Sequence, residues 1–388
     1  MNRIRVLHCP NTVAGNPQGL ARAERQLGLE SRAIAFRRSP YGYETDEILW
    51  EERDNLLRRE IKRWRLLWRA LRDFDIIHFN FGQSLMPHPG PANLQASHGY
   101  LSMSRRIYEF YARSLELHDL AWLKRAGKGI VVTYQGDDAR QGDFCLANFE
   151  ISPAGEVEPG YYSPASDAHK RARIATVARY ADRIFALNPD LLHILPPTAQ
   201  FLPYSHIDLR DWQVVDKGNP GSAAPVIVHA PTHRGVKGTR FVLDAIARLQ
   251  AEGIALELLL VEKLSHAEAR RVYERADLLV DQLLAGWYGG LAVELMALGK
   301  PVVCYIRESD LKFIPPQMQQ DLPIINARPA TLHDVLREWL TVRKDELAEI
   351  GRRSRAYVER WHDPLKIAAR LKSEYEAIMA TKRQGSRN

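Results

Sequence analysis

Short apolar runs alternate with longer amphipathic stretches along the chain, in two successive series. This alternation is typical of parallel β-sheets whose strands are joined by crossover helices. In the first series the pattern predicts strands at residues 4–9, 32–36, 75–81, 129–134 and 183–187. In the second series it predicts strands at residues 226–230, 256–262, 277–280, 301–305 and 323–326. The sequence therefore predicts an α/β protein with two parallel sheets.

A turn-rich stretch at residues 217–222, Lys-Gly-Asn-Pro-Gly-Ser, separates the two series and predicts a linker. The chain has 388 residues, of which 45% are hydrophobic, enough for two domains with sizeable cores. We expect a domain at residues 1–205 and a second domain at residues 206–363, facing each other across a cleft. Ligands of open α/β sheets bind outside the carboxyl ends of the strands, so the loops after the strands are the candidate sites.

The loop before the predicted strand at 301–305 contains Gly289 and Gly290, which open a short helix. The first N–H groups of a helix are unpaired, and together with the helix dipole they favour phosphate. Glu294 follows about one turn later, where a carboxylate can accept hydrogen bonds from ribose hydroxyls. The alternative is that the glycines make a tight turn and Glu294 is a solvated helix residue.

A second loop, at residues 231–239, follows the strand predicted at 226–230. It carries Arg234 and Lys237 around a glycine, where a fork-shaped and a point-charge cation could clamp a diphosphate leaving group. Two cations in an exposed loop are otherwise ordinary solvated side chains. Both loops lie at the same predicted sheet edge, which favours a shared anion site.

Residues 225–306 resemble the retaining glycosyltransferases of family 4, which have the GT-B architecture of two Rossmann-like, doubly wound parallel-sheet domains. The resemblance rests on the Arg-x-x-Lys-Gly loop at 234–238, the strand region from 276 onward, and the block Glu-Leu-Met-Ala-Leu-Gly-Lys-Pro-Val-Val at 294–303. This block is similar to the family signature Glu-Ala-Met-Ala-x-Gly-x-Pro-Val.

The resemblance implies roles for five residues of the second half. Arg234 and Lys237 would hold the diphosphate, Gly289 and Gly290 would donate backbone N–H groups to phosphate, and Glu294 would bind ribose. The family commonly has an acidic residue eight positions before this glutamate, in contact with the transferred sugar, but glycine occupies position 286 here. Recognition of the sugar then falls to the aromatic pair at 287 and 288, or the donor sugar differs from the usual hexoses. The pair consists of Trp287 and Tyr288, whose faces could stack on sugar C–H surfaces or serve only in packing.

The first half resembles the family through the loop after the strand at 129–134. Gln135 stands where the family has histidine near the donor sugar, and its amide can hydrogen-bond a sugar hydroxyl. Asp137 and Asp138 could orient the acceptor hydroxyl or stabilise positive charge on the sugar ring, or they could cap the following turn. The glycine-bearing loop after the first strand looks like the family's cleft-lining loop. Its candidate acceptor or cleft residues are Asn11, Gly15 and Asn16.

No metal site, Walker loop or Gly-x-Gly-x-x-Gly sequence is predicted, and the Asp-x-Asp at 73–75 is better interpreted as the start of a strand. We therefore expect transfer without a metal or bound cofactor, from a UDP- or GDP-linked sugar as co-substrate. The expected acceptor is a glycan, a lipid-linked glycan or a small molecule, and no nucleic acid partner is expected. The alternatives are a sugar- or nucleotide-binding module without turnover, and an epimerase or phosphorylase with the same fold.

The three cysteines are far apart and predict neither a disulfide framework nor a zinc site. The N-terminus lacks a long apolar segment, so we expect a cytoplasmic protein, with a net charge of +7 that favours anionic partners. Residues 53–72 carry eight basic and two acidic side chains, with apolar residues at spacings of three and four. Such a basic amphipathic helix could place the protein peripherally on the inner face of an anionic membrane. The preferred alternative is an ordinary core-facing helix with a solvated basic face.

The C-terminal segment begins a new helix at Pro364, because proline can start a helix but cannot continue one. Ile367, Leu371, Tyr375 and Ile378 share one face of this helix. In the GT-B enzymes that the chain resembles, a final helix crosses back to the N-terminal domain. We therefore expect residues 364–388 to pack on the first domain.

Overall fold

The structure is a computed structural model that describes residues 3–39, 41–89, 103–215 and 224–385. Two parallel β-sheets form its centre. The strands of the first sheet are β1 Arg5–Cys9, β2 Glu30–Ala35, β3 Glu47–Ile48, β4 Ile76–Asn80, β5 Gly129–Tyr134, β6 Arg183–Ala186 and β7 Gln200–Phe201. The strands of the second sheet are β8 Val226–His229, β9 Glu257–Leu260, β10 Leu278–Val280, β11 Val302–Cys304 and β12 Ile325–Asn326.

The strand order of each sheet is that of a doubly wound fold. The first sheet runs β3-β2-β1-β4-β5-β6-β7, and the second runs β12-β11-β10-β8-β9. The order reverses between β1 and β4 in the first sheet, and between β8 and β10 in the second. Ligands bind at such reversal points, outside the carboxyl ends of the strands. The predicted fold class, α/β with two Rossmann-like parallel sheets, is confirmed.

Helices connect the strands. In the first half they are α1 Asn16–Gln26, α2 Leu56–Asp73, α3 Met103–Leu115, α4 His118–Arg125, α5 Gly142–Asn148 and α6 Pro164–Tyr180. In the second half they are α7 Arg234–Lys237, α8 Thr239–Ala251, α9 His266–Glu274, α10 Gly290–Ala297, α11 Pro316–Asp321, α12 Leu332–Thr341, α13 Leu347–Trp361 and α14 Pro364–Gly385.

All ten predicted strands are present, with ends that differ by at most two residues. Strands β3 and β7 were not predicted, because two residues are too few to give an alternating pattern. The predicted linker at 217–222 lies outside the described residues. The boundary between residues 205 and 206 stays a prediction.

Helix α14 packs against α1 and the first sheet. Tyr375 Oη lies 2.8 Å from His78 Nδ1 and 3.0 Å from Glu24 Oε1, and all three side chains are fully buried. The Arg183 guanidinium pairs with Glu374 at 2.6 Å. One apolar cluster runs from the first sheet through residues 201–212 to the second sheet, and it includes this helix. The two sheets are therefore joined by a continuous core beneath the cleft.

Helix α2 is the predicted basic amphipathic helix, with Asn55 as its N-cap. The interpretation as an ordinary core-facing helix is wrong for most of its apolar residues. Leu66, Leu67 and Ala70 face the core, whereas five of the large apolar side chains are exposed. The exposed ones are Leu56, Leu57, Ile61, Trp64 and Trp68. In the described part of the chain, no helix is long and apolar enough to cross a membrane.

Candidate functional site

A cleft of about 780 Å³ opens between the carboxyl edges of the two sheets. Its volume lies within the range of roughly 300–1,000 Å³ that is usual for ligand pockets. Loops that follow β1, β5, β6, β8, β9 and β10 contribute to its walls. The lining side chains that carry polar chemistry are Tyr41, Tyr43, Gln135, Asp137, Arg140, Asn188, Tyr204, His206, Lys237, Glu262, Lys263, His266, Tyr273, Gln282 and Glu294.

Lys237 and the glycine loop meet at the floor of this cleft. The Lys237 ammonium contacts Asp281 Oδ1 at 3.1 Å and Gln282 Oε1 at 2.8 Å. A Cβ atom added to Gly289 would lie 3.0 Å from Lys237 Nζ, so the ammonium group lies close against the glycine loop. The structure thus brings the predicted cation and the predicted phosphate loop together.

The backbone N–H groups of the two glycines differ in availability. Gly289 N donates to Asp281 Oδ2 at 2.7 Å, so its predicted role as a free phosphate donor is corrected. Gly290 is the first residue of α10, where no intrahelical acceptor lies within reach of its N–H. Gly290 therefore offers the donor that a phosphate would meet at this helix.

Arg234 lies at the rim of the cleft rather than in its wall. Its side chain is 57% exposed and forms two hydrogen bonds of 2.6 and 2.8 Å with Glu262. The side-chain hydrogen bond with Glu262 is the main reason that the pKa of Arg234 is raised. Arg234 can reach a diphosphate only by leaving this carboxylate.

Glu294 lies in the wall of the cleft between two histidines. Its Oε1 is 2.8 Å from His266 Nε2 and 3.4 Å from His206 Nε2. Burial works to raise the pKa of Glu294, but both imidazoles outweigh it and hold the pKa below its ordinary value. Burial likewise works to lower the pKa of His266, but the contact with Glu294 outweighs it and raises the pKa. Glu294 is therefore an ionised acceptor.

Trp287 and Tyr288 do not reach the cleft, which corrects their expected stacking on the sugar. Both rings are buried, at 1% and 0% exposure, and they pack in the apolar cluster beneath the glycine loop. Tyr288 Oη is 2.8 Å from Tyr357 Oη and 2.9 Å from His362 Nε2. The pair supports Gly289 from behind instead of binding a ligand.

The loop after β5 supplies three predicted residues with different surroundings. Gln135 lines the cleft, and its Nε2 is buried without a hydrogen-bond partner among the described residues. Asp137 also lines the cleft, where Arg140, Tyr161 and Tyr162 contact its carboxylate at 2.6 to 2.8 Å.

Asp138 faces away from the cleft and accepts the N–H groups of Gln135 and Gly136. Burial raises its pKa to about 6. Asp138 therefore stabilises the turn, in keeping with the alternative of a capping role, and its predicted catalytic role is corrected. Asp137 remains at the cleft surface, held by three donors.

The loop after β1 approaches the cleft through neighbouring residues. Asn16 is buried, donates to Gln135 Oε1 at 3.4 Å and accepts from Ser205 N at 3.0 Å. Gly15 precedes α1 with a φ of +70°, and Asn11 donates to Gln83 away from the cleft. None of the three lines the cleft, so the expectation that they contact the acceptor is corrected. The loop contributes Val13 and Ala14 to the wall, and Asn16 orients Gln135.

The surroundings of position 286 explain why this chain has glycine where the resembled family commonly has an acidic residue. Gly286 has a φ of +76°, and a Cβ atom there would lie 2.6 Å from Arg307 Nη1. Arg307 is held in place by Asp310 and by the Ile151 carbonyl oxygen, each at 2.8 Å. Its guanidinium occupies the space that a side chain at 286 would need.

Restoring an acidic residue by Gly286→Asp is therefore expected to destabilise the protein without improving activity. The left-handed backbone and the clash with Arg307 should together lower the free energy of unfolding by roughly 2–5 kcal/mol. Gly253→Asp is a matched control, because Gly253 has a φ of +82° but no atom near its Cβ position. The control should lose only about 1–2 kcal/mol in chemical denaturation. Equal losses in the two variants would show that Arg307 does not exclude the side chain.

Outside the cleft, three potential metal-ligand atoms lie within 4.8 Å of one another, one each from His88, Glu116 and His169. Arg173 Nε also lies 3.0 Å from Glu116 Oε1. Two imidazoles and a guanidinium thus share one carboxylate. Burial works to raise the pKa of Glu116, but these three partners outweigh it and lower the pKa to about 2. An ion-pair network accounts for this arrangement.

The sequence prediction missed His206, His266, Asp281 and Tyr43. Asp281 directly follows β10 at its carboxyl end, so the rule that identified the other loops could have found it. His266 begins α9 next to the Ser265–Glu268 capping box, a signal that marks a helix start and not a ligand. The ring of Tyr43 contacts that of His266 at a centroid distance of 4.8 Å with the planes tilted by 45°. The two residues are 223 positions apart, so no local pattern reveals this contact.

No protein-family model and no curated protein sequence matches the chain. Among solved structures, a sucrose-phosphate synthase from Thermosynechococcus elongatus has a TM-score of 0.61 at 14% identity and covers 98% of this chain and 100% of its own. HepE of Anabaena in complex with UDP-glucose has a TM-score of 0.59 at 10% identity and covers 97% of this chain and 100% of its own. The catalytic domain of starch synthase IV from Arabidopsis thaliana, bound to ADP and acarbose, has a TM-score of 0.56 at 11% identity. It covers 98% of this chain and 100% of its own. Identities this low establish the fold alone, and that fold is GT-B.

Proposed function

We propose that this protein is a family 4 glycosyltransferase that takes a sugar from a UDP- or GDP-linked donor and transfers it, with retention and without a metal ion, to an acceptor. The fold and the cleft support a nucleotide-sugar substrate, because similar GT-B structures contain UDP-glucose or ADP. The proposed acceptor is a glycan, a lipid-linked glycan or a small molecule, in polysaccharide synthesis in the cytoplasm.

Two unsatisfied polar side chains in the cleft carry this proposal. Gln135 Nε2 and His206 Nδ1 are buried without a hydrogen-bond partner in the part of the chain that the structure describes, and the contact of His206 Nε2 with Glu294 is long, at 3.4 Å. Buried polar groups are nearly always paired, and an exception at a concave site indicates a polar ligand or ordered water. A sugar hydroxyl would satisfy Gln135, and a ribose or phosphate oxygen would satisfy His206. Both residues line the same cleft.

The proposed catalytic contribution is stabilisation of the leaving diphosphate. The bond between the sugar C1 and the phosphate oxygen breaks, and its electron pair passes to that oxygen. The oxygen of the acceptor hydroxyl forms the new bond to C1, and its proton leaves with the diphosphate. Lys237 and the Gly290 N–H group would stabilise this charge, because both lie near the N-terminus of α10, the positive end of the helix. Lys237 must exchange Asp281 for phosphate, so donor binding requires a small rearrangement at the floor of the cleft.

The ribose site predicts a pH dependence. A ribose that binds Glu294 must compete with His266, whose pKa is raised above its ordinary 6.5 by the pair. The pair is fully formed below that ordinary value and is lost as the pH rises through the raised pKa, while Glu294 stays ionised throughout. Affinity for a nucleotide sugar should therefore rise as the pH increases above 6.5 and passes through the raised pKa of His266. The diphosphate diester of the ligand does not titrate in this range.

Calorimetric titration of the wild-type protein and His266→Gln checks this dependence. The variant should bind with little change across the same pH range, and Glu294→Gln should weaken binding at every pH. In the Glu294→Gln variant, removal of ribose hydroxyls from the ligand should cost less affinity than in the wild type. An unchanged pH slope in His266→Gln would show that His266 does not control access to Glu294.

Incubation with UDP-, GDP- and ADP-linked sugars tests the proposed function. A transferase should slowly release the nucleoside diphosphate from one of these donors even when water is the acceptor. Binding without turnover would support the non-catalytic binding module, and release of a free epimer would support an epimerase. Either result would overturn the proposal.

A further inference from the structure

Helices α2 and α3 present a continuous apolar surface to solvent, which we call the α2–α3 face. Of the 14 large hydrophobic residues that are exposed in the described chain, seven belong to it. Its members are Leu56, Leu57, Ile61, Trp64, Trp68, Ile107 and Phe110. All of them except Phe110 line a groove of about 890 Å³. Soluble proteins rarely leave such a cluster uncovered unless it binds something.

The face results from a second apolar stripe on α2. Leu57, Ile61, Trp64 and Trp68 recur at spacings of four, three and four residues, so they lie on one side of the helix. The core-facing residues Leu66, Leu67 and Ala70 lie on another side. The packing of α2 against the core therefore leaves this second stripe exposed.

Polar contacts fix α3 beside that stripe. Trp64 Nε1 donates to Tyr111 Oη at 2.9 Å, and the hydroxyl groups of Tyr108 and Tyr111 donate to Glu60 at 3.1 and 3.0 Å. Ile107 and Phe110 are 62% and 75% exposed on the outer side of α3. The two helices thus form one preorganised surface.

Basic residues outnumber acidic residues on α2, and Glu60 is the acidic residue that lines the groove. Helix α2 carries seven basic and two acidic residues between positions 56 and 73. Lys62, Arg63, Arg69 and Arg72 are paired with carboxylates. Arg58 and Arg65 are exposed and form no ion pair with any residue that the structure describes. Two unpaired guanidinium groups at the border of an apolar face complement an anionic surface.

We propose that the α2–α3 face docks the protein onto the surface of an anionic phospholipid bilayer. Tryptophan is favoured at the boundary between headgroups and acyl chains, and arginine is favoured at the phosphates. Leu57, Ile61 and Phe110 would enter the acyl boundary, with α2 lying in the plane of the membrane. Its 18 residues span about 27 Å, so the contact is broad.

The docked orientation connects the membrane with the cleft. Helix α2 follows β3, whose carboxyl end points to the same sheet edge as those of β1, β4 and β5. The N-terminal turn of α2, with Leu56 and Leu57, therefore lies toward the edge at which the cleft opens. Docking would bring that edge near the headgroups, where a lipid-linked acceptor is located. Docking itself does not depend on glycosyl transfer.

Vesicle flotation tests docking without any need for turnover. The full-length protein should float with vesicles of phosphatidylcholine and phosphatidylglycerol, and much less with phosphatidylcholine alone. The double variant Leu57→Ser/Phe110→Ser should bind anionic vesicles with an affinity that is lower by a factor of roughly ten or more. Arg58→Glu/Arg65→Glu should lose roughly tenfold on anionic vesicles. Val342→Ser is the matched control, because Val342 is 82% exposed on another surface, and it should bind like the wild type.

Three results would overturn the proposal. The wild type could fail to float with anionic vesicles, or both double variants could float like the wild type. Alternatively, the wild type could be a dimer without lipid that Leu57→Ser/Phe110→Ser converts to monomers, which would identify the face as a contact between two copies. The control is the thermal unfolding temperature of each variant, which should equal that of the wild type. A loss of flotation then cannot be attributed to unfolding. Release of nucleoside diphosphate from a donor should be unchanged in the variants, so failure of docking and failure of the proposed function are distinguishable.

Discussion

Replacing Lys237 by alanine is expected to lower kcat/KM for the donor by two to three orders of magnitude, about 2.7–4 kcal/mol of transition-state stabilisation. The ammonium group lies against the glycine loop, where the leaving diphosphate would bind. Its absence would also leave Asp281, which is 1% exposed, as a buried carboxylate near the phosphate site. Steady-state measurement of nucleoside diphosphate release checks the loss.

Two controls separate this effect from a general loss of charge or stability. Arg353→Ala removes an exposed cation from α13, away from the cleft, and should keep wild-type activity. Arg234→Ala should have a smaller effect than Lys237→Ala, because Arg234 is 57% exposed and already paired with Glu262. Wild-type turnover in Lys237→Ala would contradict its assignment to the leaving group.

Ending the chain at Asp363 is expected to unfold the first half of the protein and abolish transfer. The truncation removes α14, whose buried apolar side chains complete the core of the first half. Loss of Leu371, Tyr375 and Ile378 at about 2–5 kcal/mol each would be comparable with the usual total stability of about 5–15 kcal/mol. Thermal unfolding should show an early transition, while some nucleotide binding by the second half remains.

Point substitutions on α14 provide a graded form of the same test. Leu371→Ala should lower the free energy of unfolding by about 2–5 kcal/mol, since Leu371 is fully buried. Glu376→Ala on the exposed side of the helix should change it by less than about 0.5 kcal/mol. If the truncated protein kept its transfer activity and its unfolding temperature, α14 would not be part of the first core.

The main fold could be predicted from the sequence because buried parallel strands leave continuous apolar runs. β5 and β10 are fully buried, and both were predicted within two residues. β3 and β7 pair at the sheet edges with two residues each, so tertiary pairing rather than a local pattern defines them. The helix start at Pro364 was predictable because proline restricts the backbone locally.

The site was less predictable, because burial and partners depend on distant residues. Lys237 and Gly290 were located by their positions after strands. Trp287 was assigned to the cleft from its place in a loop, but packing against Phe201 and Tyr288 turns it into the core. His206 lies in the segment that connects the two sheets, and no pattern in the sequence marked it as a site residue. The availability of each polar group is therefore a property of the folded chain.

A crystal structure of the protein with a bound nucleoside diphosphate tests the central claim most directly. We predict the terminal phosphate within about 3 Å of Lys237 Nζ and Gly290 N, with a ribose hydroxyl on Glu294. Lys237 should have left Asp281, and His266 should have moved from Glu294. A nucleotide bound outside the cleft, or a phosphate remote from Lys237 while the Lys237–Asp281 pair stays intact, would contradict the account.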